Sequence, residues 1–221
     1  MTEEIKAVIF DMDGVLVDSM KYHVLSFDEA LAEIGLDVKK EELYRLEGKG
    51  SKLVLEKLFE RRGINLGEEV LDELVSRKRE MFDKINETEP YPGVKDLLEE
   101  LKNYFKIGLV SGSNRKNVHE FVSKYFEDIF DEVIAEEDTE NKKPSPDPYE
   151  KCLEELGLDA EDCLVVENAP LGVMSAKDAG IECWAIATYV DVEDLEQAGA
   201  DRVYKDHEEF IDSIRDELIG G

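Results

Sequence analysis

Phe10-Asp11-Met12-Asp13-Gly14-Val15-Leu16-Val17-Asp18-Ser19 decides how this chain is read. The apolar run before it, Ala7-Val8-Ile9-Phe10, predicts a short buried strand. Asp11 and Asp13 therefore stand where a strand ends and the chain turns. The residues after Gly14 are apolar again, so the two acids do not belong to a solvated charge cluster. Carboxylates at the carboxyl end of a strand suit a nucleophile, a metal ligand or a proton donor. Asp and Glu number 55 among 221 residues, so an Asp-x-Asp arises readily by chance. Other strand ends must carry matching chemistry.

They do. Ile107-Gly108-Leu109-Val110 runs into Ser111-Gly112-Ser113-Asn114. Glu132-Val133-Ile134-Ala135 leads to a loop with Lys142-Lys143-Pro144. Cys163-Leu164-Val165-Val166 ends in Glu167-Asn168-Ala169-Pro170. A segment of helical character follows each. Strands alternating with helices imply a parallel sheet with right-handed crossovers, and its ligand edge lies at the strand carboxyl ends. Acids, hydroxyls and a lysine from four segments are expected to meet there.

Residues 17–90 hold no convincing strand. Val24, Phe27, Leu31 and Ile34 recur at helical spacing, as do Val54, Leu55, Leu58 and Phe59, and then Val70, Leu71, Leu74, Met81, Phe82 and Ile85. These stripes predict the core of a small helical bundle. Thr88 to Gly93, with two prolines and a glycine, punctuates the chain. The helices expected after it are 94–104, 114–126, 147–156 and 170–179, with Gly157 and Gly180 as stop signals. Outer strands are expected at 183–186 and 202–204. The expectation is an α/β fold with residues 1–16 and 91–221 as core and a helical-bundle insertion over 17–90.

The charge of −28, with a pI near 4.4, repels nucleic acid and anionic membranes. It also repels anionic substrates, so local cations must reverse the field at any site for them. No apolar run approaches a membrane span, and the acidic start Met1-Thr2-Glu3-Glu4 does not read as a signal peptide. A soluble cytoplasmic protein, a monomer or weak dimer, is expected. Cys152, Cys163 and Cys183 include no Cys-x-x-Cys pair and read as buried thiols.

Asp11-x-Asp13 with Gly14-Val15-Leu16, then Ser111, Lys143-Pro144 and Glu167-Asn168, resemble in order the four motifs of the haloacid dehalogenase superfamily. The branch resembled is that of phosphatases and beta-phosphoglucomutases, and the match runs from Ala7 to about Tyr204. The resemblance implies a Rossmann-like core with a mobile helical cap inserted after the first motif. It implies Asp11 as nucleophile toward phosphorus and Asp13 as general acid and base, an assistance of roughly 10²–10⁴-fold. Having Asp13 favours phosphoryl transfer over dehalogenation. Mg2+ is the implied cofactor, held by Asp11, the Asp13 carbonyl, Glu167 and Asn168. The commonest pattern has two acids at the last motif, so Asn168 is a departure. Asn168 also reads as a helix cap.

Ser111 is implied as a hydroxyl donor to the phosphoryl group, and Lys143 as its counter-charge and the holder of Asp11. Lys142 competes for that role but reads as solvated. Gly14, Gly112, Ser113, Asn114 and His23 are substrate-binding candidates, with Ser113 and Asn114 also readable as a helix cap and His23 as a packed histidine. In the cap, Gly48, Lys49 and Lys52 lie in a loop resembling one that reaches substrate in beta-phosphoglucomutases. Those enzymes carry an arginine where Ser51 aligns. No cap lysine stands out, which disfavours phosphonate cleavage through an imine. The expected activity is Mg2+-dependent hydrolysis of a small phosphorylated metabolite such as a sugar phosphate. Beta-phosphoglucomutase and a non-catalytic binding or regulatory protein on the same fold are the alternatives.

Overall fold

The computed structural model describes residues 5–46 and 50–220. Six parallel strands form one sheet: β1 (Ala7–Phe10), β2 (Lys106–Val110), β3 (Glu132–Ile134), β4 (Cys163–Glu167), β5 (Glu182–Ile186) and β6 (Arg202–Tyr204), in the order β3-β2-β1-β4-β5-β6. The apolar first strand lies in the middle, paired with β2 through Val8–Ile107 and with β4 through Val8–Leu164. Strand order reverses between β1 and β4, and such a switch point opens a crevice at the carboxyl edge.

Both faces of the sheet are covered, which explains why its strands read as unbroken apolar runs. Successive side chains point to opposite faces. Val8, Phe10, Leu164 and Val166 enter one apolar cluster, and Ala7, Ile9, Cys163 and Val165 the other. Helices α5 (Val94–Leu101), α6 (Arg115–Tyr125) and α10 (His207–Ile214) pack on the first face. Helices α7 (Asp147–Leu156), α8 (Pro170–Asp178) and α9 (Val192–Ala198) pack on the second. Gly157 ends α7 with φ 68°, a left-handed conformation that suits glycine.

Between β1 and α5 the chain forms α1 (Met20–Ala32), α2 (Lys40–Tyr44), α3 (Ser51–Arg61) and α4 (Glu68–Ile85), with a separate apolar cluster that includes Phe27, Leu31, Leu55, Leu58 and Leu74. Several stripe residues depart from the expected bundle core: Phe82 joins the cluster on the sheet's first face, Met81 and Ile85 are half-buried, and Ile34 and Val70 are exposed. Ile34 is 46% exposed because α1 already ends at Ala32. Val70 is exposed because the buried row of α4 runs Leu71, Leu74, Val75, Lys78, Phe82, and Val70 sits one step off it. The chain leaves and re-enters the core through two segments joined by one antiparallel bridge: Asp18 N–H donates to Glu89 O at 3.0 Å, and Tyr91 N–H to Leu16 O at 3.0 Å. This bridge fixes where the four helices stand over the sheet edge.

Candidate active site

The sheet ladder reaches one peptide past β1, with Asp11 N–H donating to Val166 O at 2.9 Å. A tight turn follows, in which Met12 O accepts from Leu16 and Val17 N–H at 2.9 and 3.1 Å. Gly14 takes φ 90° there, a conformation costly for any side chain. Its N–H is committed to Val17 O at 2.9 Å and its carbonyl to the Thr188 hydroxyl at 2.9 Å. Gly14 thus shapes the turn and does not face the cavity. The turn puts Asp11 and Asp13 on one cavity of about 60 Å³ between the sheet edge and the helices above it.

Asp13 gathers four side chains. Its Oδ1 accepts from the Ser19 hydroxyl and stands 3.2 Å from His23 Nε2. Its Oδ2 accepts from Ser113 Oγ at 2.7 Å and Ser111 Oγ at 3.3 Å. Burial opposes ionisation, but His23 and the hydroxyls of Ser19 and Ser113 outweigh it and hold the Asp13 carboxyl well below the usual range.

Lys143 is 1% exposed and enters from below. Its Nζ donates to Asp11 Oδ1 at 2.7 Å, Glu167 Oε1 at 2.7 Å and Val110 O at 3.2 Å. Burial alone would lower its pKa; the charges of Asp11 and Glu167 raise it instead, so it is a firm cation. Burial, with Glu167 and Asp13 nearby, pushes the Asp11 carboxyl up against the pull of Lys143. Glu167 is saturated. Its Oε1 also accepts from Tyr149 OH at 2.7 Å, and its Oε2 from the N–H groups of Asn168 at 3.0 Å and Ala169 at 3.3 Å. A Cβ on Gly172 would stand 1.8 Å from Glu167 Oε1, so only glycine leaves room for this carboxylate.

One cap lysine does stand out, which corrects the sequence expectation. Lys78, on the buried row of α4, is 4% exposed and lines the cavity. Its Nζ lies 2.7 Å from His23 Nδ1 and over the rings of Phe27 and Phe82 at 4.9 and 5.1 Å. Burial lowers its pKa to about 8. The lack of a cap lysine is therefore no argument against carbon–phosphorus cleavage.

Gly112, Ser113, Asn114 and His23 line the cavity as well. Asn114 also caps α6, its Oδ1 accepting from Asn117 N–H at 3.0 Å. Asn168 does not cap α8: Ala169 takes that position and no side chain bonds there. Lys142 is not solvated, since its Nζ ties down the carbonyls of Glu136 and Thr139. Lys52 is not brought to the cavity; it pairs with Glu68 at 3.2 Å and Asp72 at 2.8 Å on the cap surface. Gly48 and Lys49 lie outside the described residues.

Among the described residues, no three His, Cys, Asp or Glu side chains are grouped to hold a metal ion. The set expected for Mg2+ has only two acidic side chains as ligands, Asp11 and Glu167, besides the Asp13 carbonyl and the Asn168 amide. With Glu167 engaged by Lys143, Tyr149 and two N–H groups, the remaining donors are oxygens of Asp11, Asp13 and Asn168. In kind they suit Mg2+, which prefers oxygen and keeps several waters.

Residues 8–186 match the family described as haloacid dehalogenase-like hydrolase. The chain is 33% identical over 183 residues to a phosphoglycolate phosphatase of Aquifex aeolicus, covering 79% of this chain and 81% of the relative. It is 31% identical over 189 residues to protein CbbY of Rhodobacter capsulatus, covering 80% and 83%. The solved beta-phosphoglucomutase of Clostridium difficile superposes with a TM-score of 0.82 at 25% identity, over 98% of this chain and 100% of that one. Fold, strand-end chemistry and these likenesses agree: the chain belongs to the haloacid dehalogenase-like hydrolases, in their phosphatase and phosphoglucomutase branch.

Proposed function

We propose that the protein hydrolyses a small phosphorylated metabolite with Asp11 as nucleophile. The observation that carries this reading is the pairing of two carboxylates of opposite character on one cavity, Asp11 bound to a buried lysine and Asp13 to hydroxyls and a histidine. Lys143 keeps Asp11 aimed and offsets phosphoryl charge. Asp11 attacks phosphorus, the ester oxygen leaves, and Asp11 carries the phosphoryl group until water displaces it. Mg2+, held by Asp11, Asp13 and Asn168, would supply further charge neutralisation.

Asp13 is a carboxylate as it stands. A phosphoryl dianion beside it raises its proton affinity and competes for the hydroxyls of Ser111 and Ser113. Those hydroxyls then donate to phosphoryl oxygens, and Asp13, released by them, takes a proton from solvent water and passes it to the leaving alkoxide. The same group afterwards takes a proton from the attacking water. The relative named as a phosphoglycolate phosphatase supports a monoester substrate. The test is phosphate release from an aryl phosphate, and then from a panel of phosphorylated metabolites, by purified protein with Mg2+. Release is expected in wild type and lost in Asp11→Asn. Release no faster than the buffer control across the panel overturns the reading.

A further inference from the structure

The cavity has two unlike halves. Its floor is polar, made by Asp11, Asp13, Ser113, Asn114, Asn117 and Glu136 of the core. Its roof is apolar, made by Met20, Val24 and Phe27 of α1, Leu43 of α2, Leu46 after it and Val54 of α3. All six roof side chains are buried. All but Met20 belong to the cap's own core, and the six are turned onto the space where the ester group of a substrate must lie. Among the described residues, the polar side chains of the roof are His23, Ser51 and Lys78. His23 and Lys78 are bonded to each other, and His23 to Asp13. Ser51 is left as the hydroxyl that meets a substrate polar group.

A polyhydroxylated carbon chain fits such a roof badly. Each hydroxyl stripped of water without a partner costs roughly tenfold in affinity. Each methylene moved from water onto apolar surface gains about fourfold. With the cap as it stands the cavity is small, which favours a compact group.

We propose that the substrate is a phosphomonoester of a compact, apolar alcohol, recognised through its carbon chain by the roof formed by Val24, Phe27, Leu43 and Val54. This rests on the phosphomonoesterase reading above and narrows the expected sugar phosphate. It makes substrate choice a property of α1–α3, while the core handles the phosphoryl group alone.

The test separates binding from turnover. Calorimetry on Asp11→Asn with Mg2+ compares inorganic phosphate, methyl, propyl and butyl phosphates, and the isosteric pair 2-methylbutyl phosphate and glycerol 1-phosphate. Affinity is expected to climb two- to fourfold per methylene. The 2-methylbutyl ester should bind at least tenfold tighter than its hydroxylated twin. Val24→Thr and Val54→Thr keep the shape of the roof and add a hydroxyl; each should shrink that ratio. Equal or tighter binding of glycerol phosphate, a flat chain-length series, no binding of any ester, or an unchanged ratio in both variants overturns the proposal. Wild-type hydrolysis of an aryl phosphate is scored separately. If it is absent while the binding series holds, the hydrolase reading fails and the ligand class stands.

Discussion

His23 Nδ1 stands 2.7 Å from Lys78 Nζ, joining α1 to α4 across 55 residues of sequence. An ammonium can only donate, so Nδ1 accepts. The ring proton therefore sits on Nε2, where it points at Asp13 Oδ1, 3.2 Å away. Phe82 stacks on the ring at 4.2 Å and fixes its plane. A cap lysine thus sets the tautomer of a histidine that touches the proposed acid–base residue.

The tautomer is directly observable. Nitrogen NMR at pH 7 should show His23 neutral, with Nδ1 bare and Nε2 protonated, because burial and Lys78 lower its pKa more than Asp13 raises it. Lys78→Met should release the ring to a mixture of tautomers. An imidazolium at pH 7, or Nδ1–H as the main form, contradicts the proposed chain of donors.

Lys78 also predicts a pH dependence of stability. Its pKa is about 8 folded, against 10.5 as the ordinary value. Below pH 8 both states hold the proton, and burying the ammonium costs stability. Between 8 and 10.5 the unfolded chain binds more protons than the folded one, so stability rises with pH. Relative to Lys78→Met, wild type should gain about 3 kcal/mol across that window. Urea unfolding of both proteins at pH 7, 9 and 10.5 measures it. A constant difference would show that Lys78 titrates normally.

The sheet was legible because strands buried on both faces read as apolar runs, and the core candidates because each stands at the end of such a run or, for Lys143, in the loop after one. The structure brings them into two adjacent bonded groups, Asp11–Lys143–Glu167 and Asp13–Ser111, with Asp11 and Asp13 on one cavity. Lys78 escaped notice because Arg77 and Arg79 flank it, making a charge run that reads as solvated. Its signal was periodic: Leu71, Leu74, Val75, Lys78 and Phe82 share one face of α4. Lys52 misled in the opposite way, through nearness in sequence to the cap loop, while Glu68 and Asp72 of α4 claim it. Tyr149 sits on the apolar face of α7 and reads as plain core until its hydroxyl is seen on Glu167. Helices α9 and α10 went unread because acidic residues fill their exposed sides and leave few apolar positions.

Gly172 gives a substitution with an inverted sign. Within a helix, Gly→Ala ordinarily stabilises by up to about 1 kcal/mol. Here the new Cβ would land 1.8 Å from Glu167 Oε1 and force that carboxylate off Lys143. Gly172→Ala should lose about 1–3 kcal/mol, the usual cost of overpacking, and most of its turnover. A variant as stable and as active as wild type would show that Glu167 has other room.

The metal set predicts a gain of affinity. Activity should vanish with chelator and return with Mg2+. Asn168→Asp adds a charge to the remaining donors, so half-maximal activity should need at least several-fold less Mg2+. An unchanged or higher requirement removes Asn168 from the set.

Hydrolysis and mutase action differ in what the cap must grip. A mutase shields its phosphorylated aspartate from water and returns the group to a bound sugar phosphate, which demands a hold on the distal phosphate. Arginine suits that task through its paired donors. Here Ser51, which aligns in sequence with that arginine, lines the cavity, and Lys52 is turned to Glu68 and Asp72. Among the described residues, Lys78 is the buried cation of the roof, and its nitrogen is already bound to His23. Glu136 on the floor, its pKa raised by burial and partly offset by Arg79 at 2.9 Å, adds negative charge to the cavity, which disfavours a second phosphate there. Net phosphate release should therefore exceed conversion of beta-glucose 1-phosphate to glucose 6-phosphate, even with the bisphosphate activator present. Coupling to glucose 6-phosphate dehydrogenase beside a phosphate assay reads both rates at once. Isomerisation outrunning release would mean that the cap holds a second phosphate after all, and would turn attention to residues 47–49.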